Sequence, residues 1–143
     1  MTKNLDIEGL SSIVNNYDLF YIDLWGVVHN GITLHDQAIA VLKKLLEMNK
    51  NFVLLTNAPR PNQTVRTFLE KMGMEEEIRN HVFTSGEAAM NYLRKFYLLE
   101  KFFHIGPPRD FDLFNDFENN QSKELDNCQY LLCTGLFLSL IHI

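Results

Sequence analysis

The sequence predicts an α/β fold, a doubly wound parallel sheet, on three observations. Short apolar runs alternate with longer stretches whose apolar residues recur near the 3.6-residue helical period. The run from Phe52 is short and apolar throughout, as strands of a parallel sheet are. Gly, Pro, Asn or Asp follows most of the runs and marks a turn. Such alternation implies right-handed crossover connections.

Residues 4–16 read as a short, weakly amphipathic helix or loop, with Leu5, Leu10, Ile13 and Val14 available to pack on the first strand. That strand covers 18–23 and delivers Asp23 to a loop over 24–35, where Gly26 and Asn30-Gly31 supply the turns. A helix over 36–49 shows a stripe of Ala38, Val41, Leu42, Leu45, Leu46 and Met48, with Lys43, Lys44 and Glu47 opposite. Phe52 to Thr56 is a second buried strand, broken by Pro59 and Pro61. Residues 62–72 form a helix with Val65, Phe68, Leu69 and Met72 inward, stopped by Gly73. A short strand over 81–84 leads to Ser85 as cap of a helix over 86–97, with a stripe of Ala88, Ala89, Tyr92, Leu93 and Phe96. Residues 101–105 are a fourth strand, stopped by Gly106-Pro107-Pro108. Residues 107–127 are polar and turn-rich, and 130–133 is a fifth strand.

Composition narrows the class. The 143 residues suffice for one domain with a core, and 46% hydrophobic against 22% charged content marks a globular chain. A net charge of −5 argues against nucleic acid as a partner. Cys128 and Cys133 read as buried free thiols of a reducing compartment. Residues 1–12 lack the pattern of a signal peptide, and no apolar run approaches the ~18 residues of a membrane helix. The expected setting is cytoplasmic, without membrane contact.

Chemistry gathers at two strand ends. Asp23 ends the first strand and Thr56-Asn57 the second. In open α/β sheets, ligands bind beyond the carboxyl ends of the strands. Neighbouring strands lie about 5 Å apart, so a carboxylate would stand beside a hydroxyl and the N–H groups of a turn. That set suits a phosphoryl group: the carboxylate attacks phosphorus, and the hydroxyl and amides hold its oxygens. A divalent cation, Mg²⁺ by preference, would bring the anions together. The plainer reading is that Asp23 caps a loop.

These residues resemble a known family. Tyr21-Ile-Asp23-Leu-Trp-Gly26-Val-Val is similar to the first motif of the haloacid dehalogenase superfamily, Asp-x-Asp-Gly-Val. Phe52-Val-Leu-Leu-Thr56-Asn57 resembles its second motif. The Thr-Asn ending, the turn Ala58-Pro59-Arg60 and the short 27–34 loop look most like the NagD-like class IIA branch. The likeness runs from about Leu19 to Leu136, with the specific motifs confined to 20–31 and 52–60. It implies a Rossmannoid core and a Mg²⁺-dependent phosphatase of small phosphorylated metabolites, acting through an aspartyl phosphate. Asp23 would be nucleophile and metal ligand, the backbone carbonyl of Trp25 a second metal ligand, and Thr56 and Asn57 the phosphate binders. It also implies an inserted cap, dividing the chain into a core over 1–106, the start of a cap over 107–136 and a non-native tail over 137–143.

The match departs from the family pattern twice. The family's second aspartate, a general acid, falls on Trp25, which has no proton to give; a NagD-like subgroup carries Trp there. His29 is the nearest titratable substitute, although a histidine in such a loop is ordinarily solvated. The family's later lysine and acidic pair also find no counterpart after Leu136, as in a truncated or frame-shifted reading. The alternative is a phosphate-binding module that lost its acid. A receiver-type phosphoacceptor needs an acidic pair on an earlier strand, which 4–16 does not offer. Arg60 can face substrate phosphate or solvent. Ser85-Gly86-Glu87 reads as a helix start, and His81 and His104 as packed histidines.

Overall fold

The computed structural model describes residues 9–135. The sequence expectations for 4–8 and 136–143 lie outside that range, among them Leu5 and the tail.

Two 3₁₀ turns, Leu10–Ser12 and Val14–Asn16, lead into β1 (Leu19–Asp23). Then follow α1 (Asp36–Glu47), β2 (Asn51–Thr56), α2 (Asn62–Lys71), a one-turn α3 (Glu76–Arg79), β3 (Val82–Thr84), α4 (Ser85–Phe96), β4 (Phe102–Ile105) and β5 (Tyr130–Cys133). Every strand pairing is parallel. The strands divide into a sheet in the order β1-β2-β3 and a separate pair, β4–β5. No helix among the described residues is long and apolar enough to cross a membrane.

One face of the larger sheet carries the main core. Phe52, Leu54 and Val82 point into it beside Leu42 and Leu45 of α1 and Val65 and Leu69 of α2. Phe20 and Ile22 of β1 pack against the same cluster. Alternation sends Leu19, Tyr21, Leu55 and Phe83 to the other face, where all are exposed. The reading of β1 and β2 as strands buried on both faces therefore holds for one face only.

The β4–β5 pair has its own cluster. Phe102 is fully buried and packs with Met90 of α4 and with Leu113 and Phe114. Phe102 stacks on Tyr130 across the pair, ring centres 5.7 Å apart. Because β4 finds these partners, the alternating chain gives two sheets. The polar connection between β4 and β5 is a 3₁₀ segment, Pro108–Asn120, followed by a turn at Leu125–Asn127.

Three local expectations need correction. Met90 and Gly86 form the buried side of α4, while Tyr92 and Phe96 are exposed. Thr84, not Ser85, caps that helix: its hydroxyl accepts the Glu87 N–H at 2.9 Å. Both cysteines are free, but Cys128 is half-buried and Cys133 exposed.

Candidate functional site

The site lies beyond the C-terminal ends of β1 and β2. Register pairs Asp23 with Leu55, so Thr56 stands one residue further along. By alternation Asp23 belongs to the exposed face and Thr56 to the helix-covered one. Both are the last residues of their strands, and both border one cleft of about 300 Å³ across the strand ends, with Asn57 beside them. Asp23 is exposed, and its Oδ1 accepts the N–H of Leu24 at 2.8 Å. Thr56 Oγ1 accepts the N–H of Ala58 at 3.3 Å, which folds the chain back over the strand end.

A larger cleft of about 640 Å³ adjoins the first at Thr56 and Asn57, which border both. Trp25, His29 and Phe68 form its aromatic side, and Arg60 and Arg109 also border it. Asp23 does not.

The loop after Asp23 is built to hold Trp25. Gly26, at φ 78°, donates to the carbonyl of His29 at 2.8 Å. Asn30 Oδ1 accepts the N–H groups of Ile32 and Thr33, both at 2.9 Å. Gly31, at φ 92°, lies under the indole: a Cβ there would fall 2.5 Å from Trp25 Cη2. Trp25 is nonetheless 63% exposed and borders the larger cleft.

His29 departs from the expected solvated loop histidine. It is 4% exposed, edge-on to Trp25 at 5.4 Å and to Phe68 at 5.8 Å. Its Nδ1 accepts the Gly31 N–H at 3.0 Å, which leaves the proton of the neutral ring on Nε2. Burial, with a smaller push from His35, lowers its pKa; the charge of Asp23 opposes this without reversing it. His29 is a neutral hydrogen-bond donor at the cleft wall. A neutral imidazole is too weak an acid to replace the missing aspartate.

The turn after β2 is pinned to the start of α4. Gly86 N–H and Ser85 Oγ both donate to the Ala58 carbonyl, at 3.1 and 3.0 Å. Thr84 Oγ1 donates to the carbonyl of Arg60, and Asn62 Oδ1 accepts the Thr84 N–H at 2.9 Å. A Cβ on Gly86 would collide with the Arg60 backbone. The Ser-Gly-Glu helix start thus receives the loop that carries Arg60.

Arg60 is anchored rather than solvated. Its guanidinium lies 3.7 Å from Asp110 and 3.6 Å from Asp112. Asp110 is 2% exposed and also faces Arg109, at 3.8 Å. Asp112 accepts the Thr64 hydroxyl at 2.7 Å. Phe68, Arg109 and Asp110 carry no sequence signal for this role. They reach the site only through the packing of α2 and the 3₁₀ segment.

Among the described residues no three His, Cys, Asp or Glu side chains gather as a metal centre. At the end of β1 Asp23 presents an exposed carboxylate, an oxygen donor of the kind a hard cation takes. Mg²⁺ commonly uses one or two carboxylates and completes its shell with water and substrate phosphate.

Comparison with known proteins bears on the family and the fold. No curated protein matches the sequence significantly. A haloacid dehalogenase-like hydrolase from Brucella suis 1330 is 31% identical, with a TM-score of 0.76 over 90% of this chain and 46% of its own. A putative nagD protein shares 24% identity and a TM-score of 0.67, covering 85% of this chain and 47% of its own. A 4-nitrophenylphosphatase from Thermotoga maritima has the same fold at 23% identity and a TM-score of 0.66, covering 91% and 50%. The chain spans about half the length of these solved relatives. The sequence model of the haloacid dehalogenase-like hydrolases matches residues 20–118. The chain therefore belongs to the haloacid dehalogenase-like hydrolase family.

Proposed function

We propose that the protein to which this chain belongs is a Mg²⁺-dependent phosphatase of a small phosphorylated metabolite, with Asp23 as nucleophile. The observation that carries this reading is the shared cleft of Asp23 and Thr56 at the ends of adjacent parallel strands. The Asp23 carboxylate attacks phosphorus from the strand end, forming an aspartyl phosphate as the ester oxygen leaves. The Thr56 hydroxyl and the Asn57 N–H beside it hold the equatorial oxygens. Water then hydrolyses the acyl phosphate. The Asp23 carboxylate and Trp25 carbonyl would hold Mg²⁺, which when bound neutralises charge between carboxylate and phosphate. A cytoplasmic setting accompanies this reading.

The chain holds two units in this account, a catalytic core and the start of a cap. The core is taken to run to residue 106 and the cap to begin at 107.

Hydrolysis of p-nitrophenyl phosphate by the full-length protein, compared with Asp23→Asn, tests the assignment. Activity should fall to background in the variant; equal rates would overturn it. A second reading, a phosphate-ligand sensor, is favoured by one observation: neither Trp25 nor neutral His29 can protonate an alkoxide. Saturable Mg²⁺-dependent phosphate binding without turnover is its signature.

A further inference from the structure

We propose that Arg60 and Arg109 form a subsite for a second anionic group of the substrate, distinct from the phosphate that reacts. The inference rests on the phosphatase reading and names the substrate class: a phosphomonoester with an acidic group at its far end.

The two clefts carry the argument. Asp23 borders only the smaller and the arginines only the larger, while Thr56 and Asn57 border both. A ligand with its phosphate between Asp23 and Thr56 reaches the larger cleft by extending past Asn57, which borders both. There its body meets the apolar faces of Trp25 and Phe68, and its far end meets the two guanidiniums.

Those guanidiniums are placed by charge while their donors stay available. Arg60 Nη2 and Arg109 Nε face the same oxygen of buried Asp110 at 3.7 and 3.8 Å, and Arg60 Nη1 faces Asp112 at 3.6 Å. These distances are ion pairs, too long for hydrogen bonds. Among the described residues neither guanidinium donates a hydrogen bond. Two carboxylates balance two cations, so the arginines stay in place when the cleft is empty. An incoming carboxylate or phosphate gains charge-assisted N–H donors that no group among the described residues occupies.

Trp25 is the only tryptophan of the chain and borders the larger cleft, so its fluorescence reports on the ligand. The test titrates the protein with Mg²⁺ present, using n-alkyl phosphates and ω-carboxyalkyl phosphates of matched, increasing length. At one length the carboxylated ligand should bind about tenfold more tightly than its alkyl partner. The ratio of the two Kd values should fall to near one in Arg109→Ala and in Arg60→Gln. A ratio near one at every length in the unaltered protein, or one retained in both variants, overturns the subsite alone. Absence of binding by either series overturns the subsite and the phosphate site together. A matching series of bisphosphates shows whether the second anion is a carboxylate or a phosphate.

Discussion

Trp25 makes the leaving group the deciding variable. With Trp25 at the position of the family's general acid, esters whose alcohol departs as a stable anion should react far faster than those that need protonation. A lost general acid costs about 10²–10⁴-fold, so kcat/KM for aryl phosphates should exceed that for alkyl phosphates by a factor of that order. Trp25→Asp should narrow the gap, and a rate profile across esters of graded leaving-group acidity reads it directly. His29 sets a pH dependence. Its pKa in the folded protein lies below the ordinary 6.5 because of burial, and that of His104 is lowered for the same reason. Between the folded and unfolded values the unfolded chain binds the extra proton, so stability is full above about 6.5 and falls as pH drops below it. Tm measured across this range should decline toward acid, and less steeply in His29→Gln. Asp23, Thr56 and Asn57 were legible as strand-end residues because a strand announces where it stops. The burial of His29 was not, because Phe68, which closes over it, comes from a helix far along the chain.

At the scale of elements, the joint between the β2 turn and the start of α4 governs the geometry of the arginine cleft. Thr84 both caps α4 and holds the Arg60 carbonyl, and Gly86 leaves room for that backbone. Thr84→Val should cost about 1–2 kcal/mol through the lost cap and the unpaired carbonyl. Gly86→Ala should cost about 1–3 kcal/mol by overpacking. Urea unfolding measures both. The long helices followed from periodicity and the five strands from short apolar runs between turn residues. The one-turn α3 did not: it offers a single buried residue, Ile78, behind a run of glutamates that reads as a solvated face. The side of α4 that turns inward was hidden too, because Tyr92 and Phe96 compete with Met90 for it in any helical projection. Only the position of β4 and its partners decides for Met90.

Across the whole molecule, two features stand apart from the alternating pattern. The strands divide into two parallel sheets, and the larger one leaves Leu19, Tyr21, Leu55 and Phe83 exposed on one face. Sequence alternation fixes neither, because strand order depends on which apolar clusters form and burial depends on what lies opposite. An apolar face of this kind binds hydrophobic probes. The 143-residue chain should therefore enhance the fluorescence of anilinonaphthalene sulfonate under native conditions, and Tyr21→Lys with Phe83→Lys should reduce the signal. The central claim concerns the other end of that sheet, where β1 and β2 bring a carboxylate and a hydroxyl to one cleft. Its most direct test is acid-quenched mass spectrometry of the full-length protein during turnover of p-nitrophenyl phosphate. The account predicts one phosphoryl group on the peptide that contains Asp23, absent in Asp23→Asn. Turnover with the phosphoryl group on another residue, or with none trapped and Asp23→Asn still active, would contradict it.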